Sequence, residues 1–282
     1  ADAAPEPTRQ AAGLVLKNAL HAKDPKRKHA LATTWLHTDP AAKLQIKKTV
    51  LSALAAGSKV ARHTAAMAIS AMATIDLPQN QWPDLIQGLV KNVTGGSSGA
   101  DAAAAGRGAA GGTGAASPHL TQSSLEALGY ICEEIEPEVL EAQANLILTA
   151  VVQGMRKENP VEIRKAGTDA LLNALDFVKT NFDNEAERNF IMQTVCETTQ
   201  AESDELRCAA FECAVRVAEL YYDTLPAYMN ALYQITTAVI AKATHDEAEE
   251  EVAQQAIEFW STLCEEEIDL QEEADDNPGA TP

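Results

Sequence analysis

The chain has few aromatic residues and lacks long apolar runs. Phe, Trp and Tyr make up 5% of its 282 residues, although hydrophobic residues make up 46%. Much of that hydrophobic content is Ala and Leu, which lose little side-chain freedom in a helix, so the composition favours helices over sheets. No run of about 18 apolar residues is present, and we therefore expect no membrane span.

Basic residues are also fewer than acidic ones. The 22 Lys and Arg residues face 41 Asp and Glu residues, which gives a formal charge of −19. Such a surface repels nucleic-acid phosphates and anionic lipid and attracts basic partners, so we expect neither nucleic acid nor membrane as a partner. Acidic residues also keep a protein soluble, and this role accounts for part of their excess over basic residues. The basic segment 23–28 is too small to reverse this expectation, and a loop leading into a helix explains it equally well.

Sequence motifs for catalysis or metal binding are missing. The five cysteines form no Cys-x-x-Cys pair, and we expect reduced thiols in a cytosolic or nuclear protein. The six histidines form no His-Glu-x-x-His motif. The glycine-rich segment 95–114 lacks the Gly-Lys-Ser/Thr ending of a phosphate-binding loop. We therefore predict no active site, no metal and no cofactor, and a protein that is not an enzyme.

Helix-length amphipathic segments alternate with short breaks along the chain, because apolar residues recur at spacings of three and four. The predicted helices are 11–20, 26–35, 41–55, 60–73, 82–93, 119–135, 138–156, 161–180, 185–199, 204–222, 225–243 and 247–267. We interpret 161–180 with 185–199, and 204–222 with 225–243, as helix pairs.

A repeat of constant length emerges from matching apolar pairs. These pairs recur after 59, 44, 43 and 45 residues, and they are Ile69/Met72, Leu128/Ile131, Leu172/Leu175, Val215/Ala218 and Trp260/Leu263. Three of the four spacings match the roughly 40–47 residues of a HEAT unit. The sequence therefore predicts an all-α fold, a right-handed α-solenoid built from antiparallel helix pairs.

The long spacing contains residues 94–118, rich in Gly, Ala and Ser. We interpret this segment as a flexible, disordered insertion between repeats, because it has too little apolar bulk to order itself. The solenoid is predicted to span 1–270, with five to six repeats of which the first and last are incomplete. The acidic end is expected to fray from Glu265, and 271–282 to form a disordered tail. The chain begins without Met, and we interpret it as a fragment.

Several strings of this sequence closely resemble the importin-β (karyopherin-β) family of nuclear import receptors. They cover roughly 11–270 and are AAGLVLKNAL, NQWPDLIQGLVKNVT, SSLEALGYICEEIEPE, LTAVVQGMRKE, ALLNALDFVKTNFDNEAERNFIMQTVCE and AIEFWSTLCEEE. They follow the order of that family's N-terminal third. The insertion 94–118 departs from the family, in which the corresponding connection is short.

The resemblance implies partners and sites. It implies binding to Ran-GTP and to Phe-Gly nucleoporins in the cytoplasm, the nucleus and the nuclear pore, with the importin-α adaptor or basic cargo bound mostly by later repeats absent here. The Phe-Gly groove is implied at Leu148, Thr149, Val152, Glu187, Phe190 and Ile191. Ran contacts are implied at Lys17 and Lys23. The six groove residues would also be explained if they only packed one repeat on the next. The two lysines would also be explained if they were only solvated surface residues.

Two other classes of function are compatible with parts of the sequence. A HEAT scaffold, for example one that organises a phosphatase, would keep the helical repeat and the acidic surface without the Phe-Gly groove. An enzyme of unrecognised type would need a cluster of polar residues in a pocket. Binding of an extended Phe-Gly peptide separates the transport reading from both.

Overall fold

The computed structural model describes residues 5–95 and 117–276, and within these ranges it contains α-helices, short 3-10 turns and no β-strand. The helices are α1 (Glu6–Asn18), α2 (Pro25–Leu36), α3 (Pro40–Ala53), α4 (Lys59–Asp76), α5 (Leu85–Thr94), α6 (Pro118–Glu134), α7 (Pro137–Leu140), α8 (Ala144–Met155), α9 (Val161–Ala174), α10 (Lys179–Asp183), α11 (Glu185–Thr198), α12 (Asp204–Tyr221), α13 (Met229–Ala243) and α14 (Glu250–Asp276). The all-α prediction is confirmed.

Side-chain caps fix where many of these helices begin. Asp24, Asp39, Ser58, Ser117 and Asn184 each accept a hydrogen bond from a backbone N–H in the first turn of the following helix. Proline follows the cap directly in α2, α3 and α6, where its missing N–H costs nothing. At these predicted breaks between helices, a nearby side chain therefore provides the hydrogen bond that a backbone N–H of the first turn would otherwise lack.

The chain divides into two compact units, Ala1–Gly154 and Met155–Pro282, which are described separately. In the first unit α4 is the central helix and packs against α1, α2, α3 and α6, and α5 packs on α6. Its buried face includes Ile69 and Met72, both fully buried, as are Leu128 and Ile131 of α6. The matching apolar pairs of the repeat are thus core residues here.

In the second unit α12 is central and packs against α9, α11 and α14, while α13 packs on α14. Phe211 of α12 belongs to one apolar cluster with Val239 of α13 and with Val252 and Ala256 of α14. Successive helices thus pack on one another from α11 to α12 and from α13 to α14. The predicted pairing of 161–180 with 185–199, and of 204–222 with 225–243, stays a prediction, because each helix of a repeat array also packs on the neighbouring repeat.

Two predicted helices are broken. The helix predicted over 138–156 is a short α7, a 3-10 turn at Glu141–Gln143, and α8. The helix predicted over 161–180 ends at Ala174 and continues as a 3-10 turn before α10. The bend there brings Phe182 into a stacked contact with Tyr221, with ring centroids 4.0 Å apart. Apolar spacings of three and four fit both helix types, so the sequence pattern did not show the change.

The end of α14 also differs from expectation. The acidic segment predicted to fray from Glu265, and the tail predicted to be disordered from residue 271, are helical as far as Asp276. Glu, Leu and Gln are good helix formers, and the first breaker after Glu250 is Pro278. Residues 277–282 lie outside the described residues. The predicted insertion 94–118 overlaps α5 and α6 at its edges, and residues 96–116 lie outside the described part.

Two glycines provide a matched test of the packing in the first unit. A Cβ atom at Gly13 of α1 would overlap Cγ2 of the buried Thr64 on α4, whereas a Cβ at Gly88 of α5 meets nothing within 4 Å. We expect Gly13→Ala to lower the free energy of unfolding by about 1–3 kcal/mol, because a β-branched neighbour cannot move aside easily. Gly88→Ala should raise it by about 1 kcal/mol through helix propensity. Urea unfolding of both variants checks this, and equal effects would contradict the close approach of α1 and α4.

Candidate protein-binding surfaces

The N-terminal turn of α11 holds Glu187 in a fixed position. Its Oε2 accepts a hydrogen bond from Nδ2 of Asn181 at 2.5 Å, and its Oε1 accepts one from Nδ2 of Asn184 at 3.1 Å. Asn184 also caps the helix, accepting from the backbone N–H of Glu187. The carboxylate is exposed, yet its orientation is set by two amide donors.

Phe190 and Ile191 are neighbours on α11 with opposite surroundings. The Phe190 side chain is 53% exposed, whereas Ile191 is 2% exposed and belongs to the core. The adjacent Asn189 accepts a hydrogen bond from the hydroxyl of Tyr228 at 2.5 Å, and Arg188 donates to the same hydroxyl at 3.2 Å. These contacts tie α11 to the start of α13. A large aromatic ring therefore lies exposed on an anchored helix.

Helix α8 of the first unit carries the other predicted groove residues. Leu148 and Val152 are each 6% exposed, and Thr149 is exposed with its hydroxyl donating to the carbonyl of Asn145 at 2.6 Å. Leu146, three residues before Thr149, is 43% exposed and was missed. It sits in a continuous apolar run whose periodicity did not distinguish the buried face from the exposed one.

The six predicted groove residues thus fall into two groups. Thr149, Glu187 and Phe190 are exposed, while Leu148, Val152 and Ile191 are buried. The two helices that carry them belong to different units, and each half is described by itself. A shared Phe-Gly groove stays a prediction. The burial of Val152 means that Asp at this position would place a carboxylate in an apolar core, so Phe190 is the better position for a test.

The predicted Ran residue Lys17 lines a depression of about 220 Å³ on α1, α4 and α6. Met67 and Ala71 contribute its apolar part, and Glu133 and Glu134 its acidic part. No ion pair in the described ranges involves Lys17. A half-buried ammonium with apolar and acidic neighbours can bind a partner's carboxylate or backbone carbonyl.

Polar contacts join α6 to α1 and α4 around this depression. Nδ1 of His21 lies 3.7 Å from Oε2 of Glu134, and Nδ1 of His63 lies 3.2 Å from the hydroxyl of Tyr130. Tyr130 and His21 both line the depression and were not found from the sequence, because each becomes part of the surface only through packing with another helix. Lys23 is exposed in the loop between α1 and α2 and is not part of the depression.

Membrane-spanning helices and metal sites are both absent from residues 5–95 and 117–276. None of the helices there is long and apolar enough to cross a membrane. In those ranges no three His, Cys, Asp or Glu side chains are grouped so that they could hold a metal ion.

Two relatives with similar sequences carry the same name. Residues 1–56 match the family described as Importin-beta N-terminal domain. Importin subunit beta-1 of Arabidopsis thaliana is 44% identical over 274 residues, which are 96% of this chain and 29% of the relative. Importin subunit beta-1 of Schizosaccharomyces pombe is 44% identical over 93% of this chain and 28% of its own length. The chain therefore spans less than a third of the length of these relatives.

Solved structures agree with the sequences. Yeast importin-β (Kap95p) has a TM-score of 0.84 and 36% identity, covering 100% of this chain and 30% of its own. A Kap95:Nup1 complex has a TM-score of 0.82 at 36% identity, covering 100% and 31%. A structure in which Kap95p binding induces the switch loops of RanGDP to adopt the GTP-bound conformation has a TM-score of 0.83 at 36% identity, covering 100% and 30%. The helix pairs described above are thus HEAT repeats, and this chain belongs to the importin-β family, of which it represents the N-terminal HEAT-repeat region.

Proposed function

We propose that this chain is the N-terminal part of a nuclear transport receptor that moves between cytoplasm and nucleus through the nuclear pore. Family membership and the all-helical repeat support this proposal. HEAT repeats suit it because each repeat contacts only its neighbours, so a long array offers large binding surfaces without catalysis. Binding of the importin-α adaptor or basic cargo is proposed mostly for later repeats of the family, as the resemblance implies, since this chain covers 29% of the first relative.

The first partner we propose is a Phe-Gly nucleoporin segment, with Phe190 of α11 as its contact on the second unit. The observation that carries this proposal is Phe190, a large aromatic side chain left 53% exposed on an anchored helix. Aromatic rings prefer edge-to-face or offset contacts with other rings, and each such pair contributes roughly 0.5–1.5 kcal/mol. The similar Kap95 forms a complex with Nup1, which points in the same direction. Several weak contacts of this kind on one receptor would give avidity with rapid release.

The test is binding of a fluorescent Phe-x-Phe-Gly peptide to the wild type, Phe190→Ala and Leu44→Ala. Leu44 on α3 is also 53% exposed, so its variant controls for the loss of an exposed apolar side chain. We expect Phe190→Ala to raise Kd about tenfold and Leu44→Ala to leave it unchanged. Circular dichroism should show equal helicity for all three. Equal Kd values for Phe190→Ala and the wild type would remove α11 from the site.

The second partner we propose is Ran-GTP, contacted through Lys17 and Lys23. Lys17 is half-buried beside apolar and acidic neighbours, an environment in which a charge contributes more to binding than it does in open solvent. Kap95p binding to RanGDP in a similar structure supports a Ran contact. Lys23 is exposed, so we expect its contribution to be smaller.

Charge reversal separates the two lysines. We expect Lys17→Glu to weaken binding of Ran loaded with a non-hydrolysable GTP analogue by about tenfold or more, because a half-buried carboxylate would repel the partner's carboxylate that the lysine attracts. Lys23→Glu should act mainly on the association rate and fade as salt is raised. Lys48→Glu, at an exposed lysine of α3, is the control. Surface plasmon resonance at two salt concentrations measures both rates, and a Lys17→Glu trace like that of Lys48→Glu would contradict the assignment.

A further inference from the structure

Charge is distributed very unevenly along this acidic chain. Its first 62 residues hold 11 of the 22 basic residues and only 4 of the 41 acidic ones. Three of these basic residues, Lys43, Lys47 and Arg62, are buried and bonded internally. The first unit therefore begins with a positive region in a protein that is otherwise strongly negative.

Four exposed basic residues form the core of that region, which we call the basic cluster: Lys23, Lys26, Arg27 and Lys28. The cluster lies at the N-terminal end of α2, where the helix dipole adds to the positive potential. Within the described residues no carboxylate forms an ion pair with any of the four. The carboxylate of Asp24 is engaged in capping the helix, accepting from the backbone N–H of Arg27 at 2.8 Å.

A concave pocket of about 260 Å³ lies directly beside the cluster. Lys28 and His29 of α2 form part of its rim, and Leu20, Leu36 and Ile75 form its apolar part. The volume is below the roughly 300–1,000 Å³ of small-molecule sites, and it suits one or two side chains of a peptide. Positive rim and apolar floor lie together on one face of α2 and the end of α4.

We propose that the basic cluster and this pocket bind an acidic segment of another protein that carries one or two large apolar side chains between its carboxylates. An apolar side chain would enter between Leu36 and Ile75, and the carboxylates would lie against Lys28 and its basic neighbours. Nucleic acid fits less well, because an apolar floor offers phosphates nothing and the chain as a whole is negative. None of the residues proposed for the nucleoporin or Ran lines this pocket, and Lys23, which the basic cluster shares with the Ran proposal, is left unchanged in the experiments below.

The first experiment measures fluorescence anisotropy of the labelled peptide Asp-Asp-Glu-Leu-Phe-Glu-Asp-Asp and of its Ser-Ser counterpart. We expect the Leu-Phe peptide to bind the intact chain about tenfold more tightly than the Ser-Ser peptide, because only the former fills the pocket. Arg27→Glu combined with Lys28→Glu should abolish binding of both. Folding is not at risk, since acidic residues in the first turn of a helix are favourable. Lys48→Glu combined with Lys59→Glu, which makes the same charge change at exposed positions, should retain binding.

A second variant tests the pocket without altering charge. Ala32→Trp places a large ring at a residue that lines the pocket and should fill it. The affinity of this variant for the Leu-Phe peptide should then equal its affinity for the Ser-Ser peptide. Equal binding of both peptides to the wild type would overturn the proposal, leaving only non-specific charge attraction. Displacement of the peptide by a single-stranded oligonucleotide at equal charge would overturn it in favour of nucleic acid. Self-association that the Arg27→Glu, Lys28→Glu variant abolishes would replace the foreign segment by a second copy of the chain.

Discussion

Asp76→Asn is expected to lower the free energy of unfolding of the first unit by about 3–5 kcal/mol, the range seen when one partner is removed from a buried ion pair. Asp76 is fully buried at the end of α4, and Lys43 and Lys47 of α3 are 7% and 8% exposed. Nζ of Lys47 lies 2.6 Å from Oδ2 of Asp76, and Nζ of Lys43 lies 3.4 Å from Oδ1. One carboxylate thus neutralises two buried ammonium groups in part.

The surroundings of Asp76 leave the lysines no other anion. Nε1 of Trp35 donates to Oδ1 of Asp76 at 3.0 Å, while Lys43 donates to the side chain of Gln81 at 2.7 Å and Lys47 to its backbone carbonyl at 3.1 Å. The lysines also lie over the Trp35 and Trp82 rings, 5.2 and 4.6 Å from the centroids. These contacts satisfy donors without cancelling charge. An amide at position 76 would leave both charges buried.

Trp35 and Trp82 are the intrinsic probes for this test, because their fluorescence reports on the first unit. Asp84→Asn is the matched control, since Asp84 is exposed and its side chain caps nothing, so we expect a change below about 0.5 kcal/mol. Lys43→Met should cost less than Asp76→Asn, because it leaves one ammonium for one carboxylate. If Asp76→Asn and Asp84→Asn unfold at the same urea concentration, the buried charge network contributes nothing to stability.

This network shows what the sequence could not reveal. The strings around Trp35, Lys43 and Trp82 were predicted as helix and break, yet lysine on an amphipathic helix is ordinarily a solvated residue. The three segments meet only when α2, α3 and the loop after α4 pack together. Residues more than thirty positions apart produce no periodic pattern in the sequence when they come into contact. Neither the burial of the two lysines nor their shared partner Asp76 was therefore predictable.

Elements governed by local chemistry were predicted well. Helix starts at Pro25, Pro40 and Pro118 follow from capping residues and proline, which act within one turn. The repeat length followed from apolar periodicity, but that periodicity alone does not decide which two neighbouring helices form one repeat, because adjacent helices look alike in sequence. Site residues came from family resemblance alone. Sequence could not separate the exposed Phe190 from the buried Ile191, since both are apolar neighbours on one helix.

The second unit is held by an ion pair of comparable importance, between Arg207 of α12 and Glu249. The two guanidinium nitrogens donate to the two carboxylate oxygens at 3.1 and 2.7 Å, and the side chains are 11% and 7% exposed. Lys242 of α13 donates to the same carboxylate. Hydrogen bonds from Arg207 and Lys242 lower the pKa of Glu249 from 4.5 to about 2. We expect Arg207→Met to cost about 3 kcal/mol, because Glu249 would keep one partner only.

The lowered pKa gives this pair a defined pH dependence. A carboxyl whose pKa is lower in the folded state than in the unfolded state stabilises the fold above the unfolded value, and the contribution is lost as pH falls to the folded value. The stability difference between wild type and Glu249→Gln should therefore be constant above about pH 5 and shrink between pH 4.5 and about 2. Urea unfolding followed through Trp260, the tryptophan of this unit, measures it. Glu251→Gln, at an exposed carboxylate two residues away, should show no such window. A difference that stays constant down to pH 2 would mean that the pair does not stabilise the charged form of Glu249.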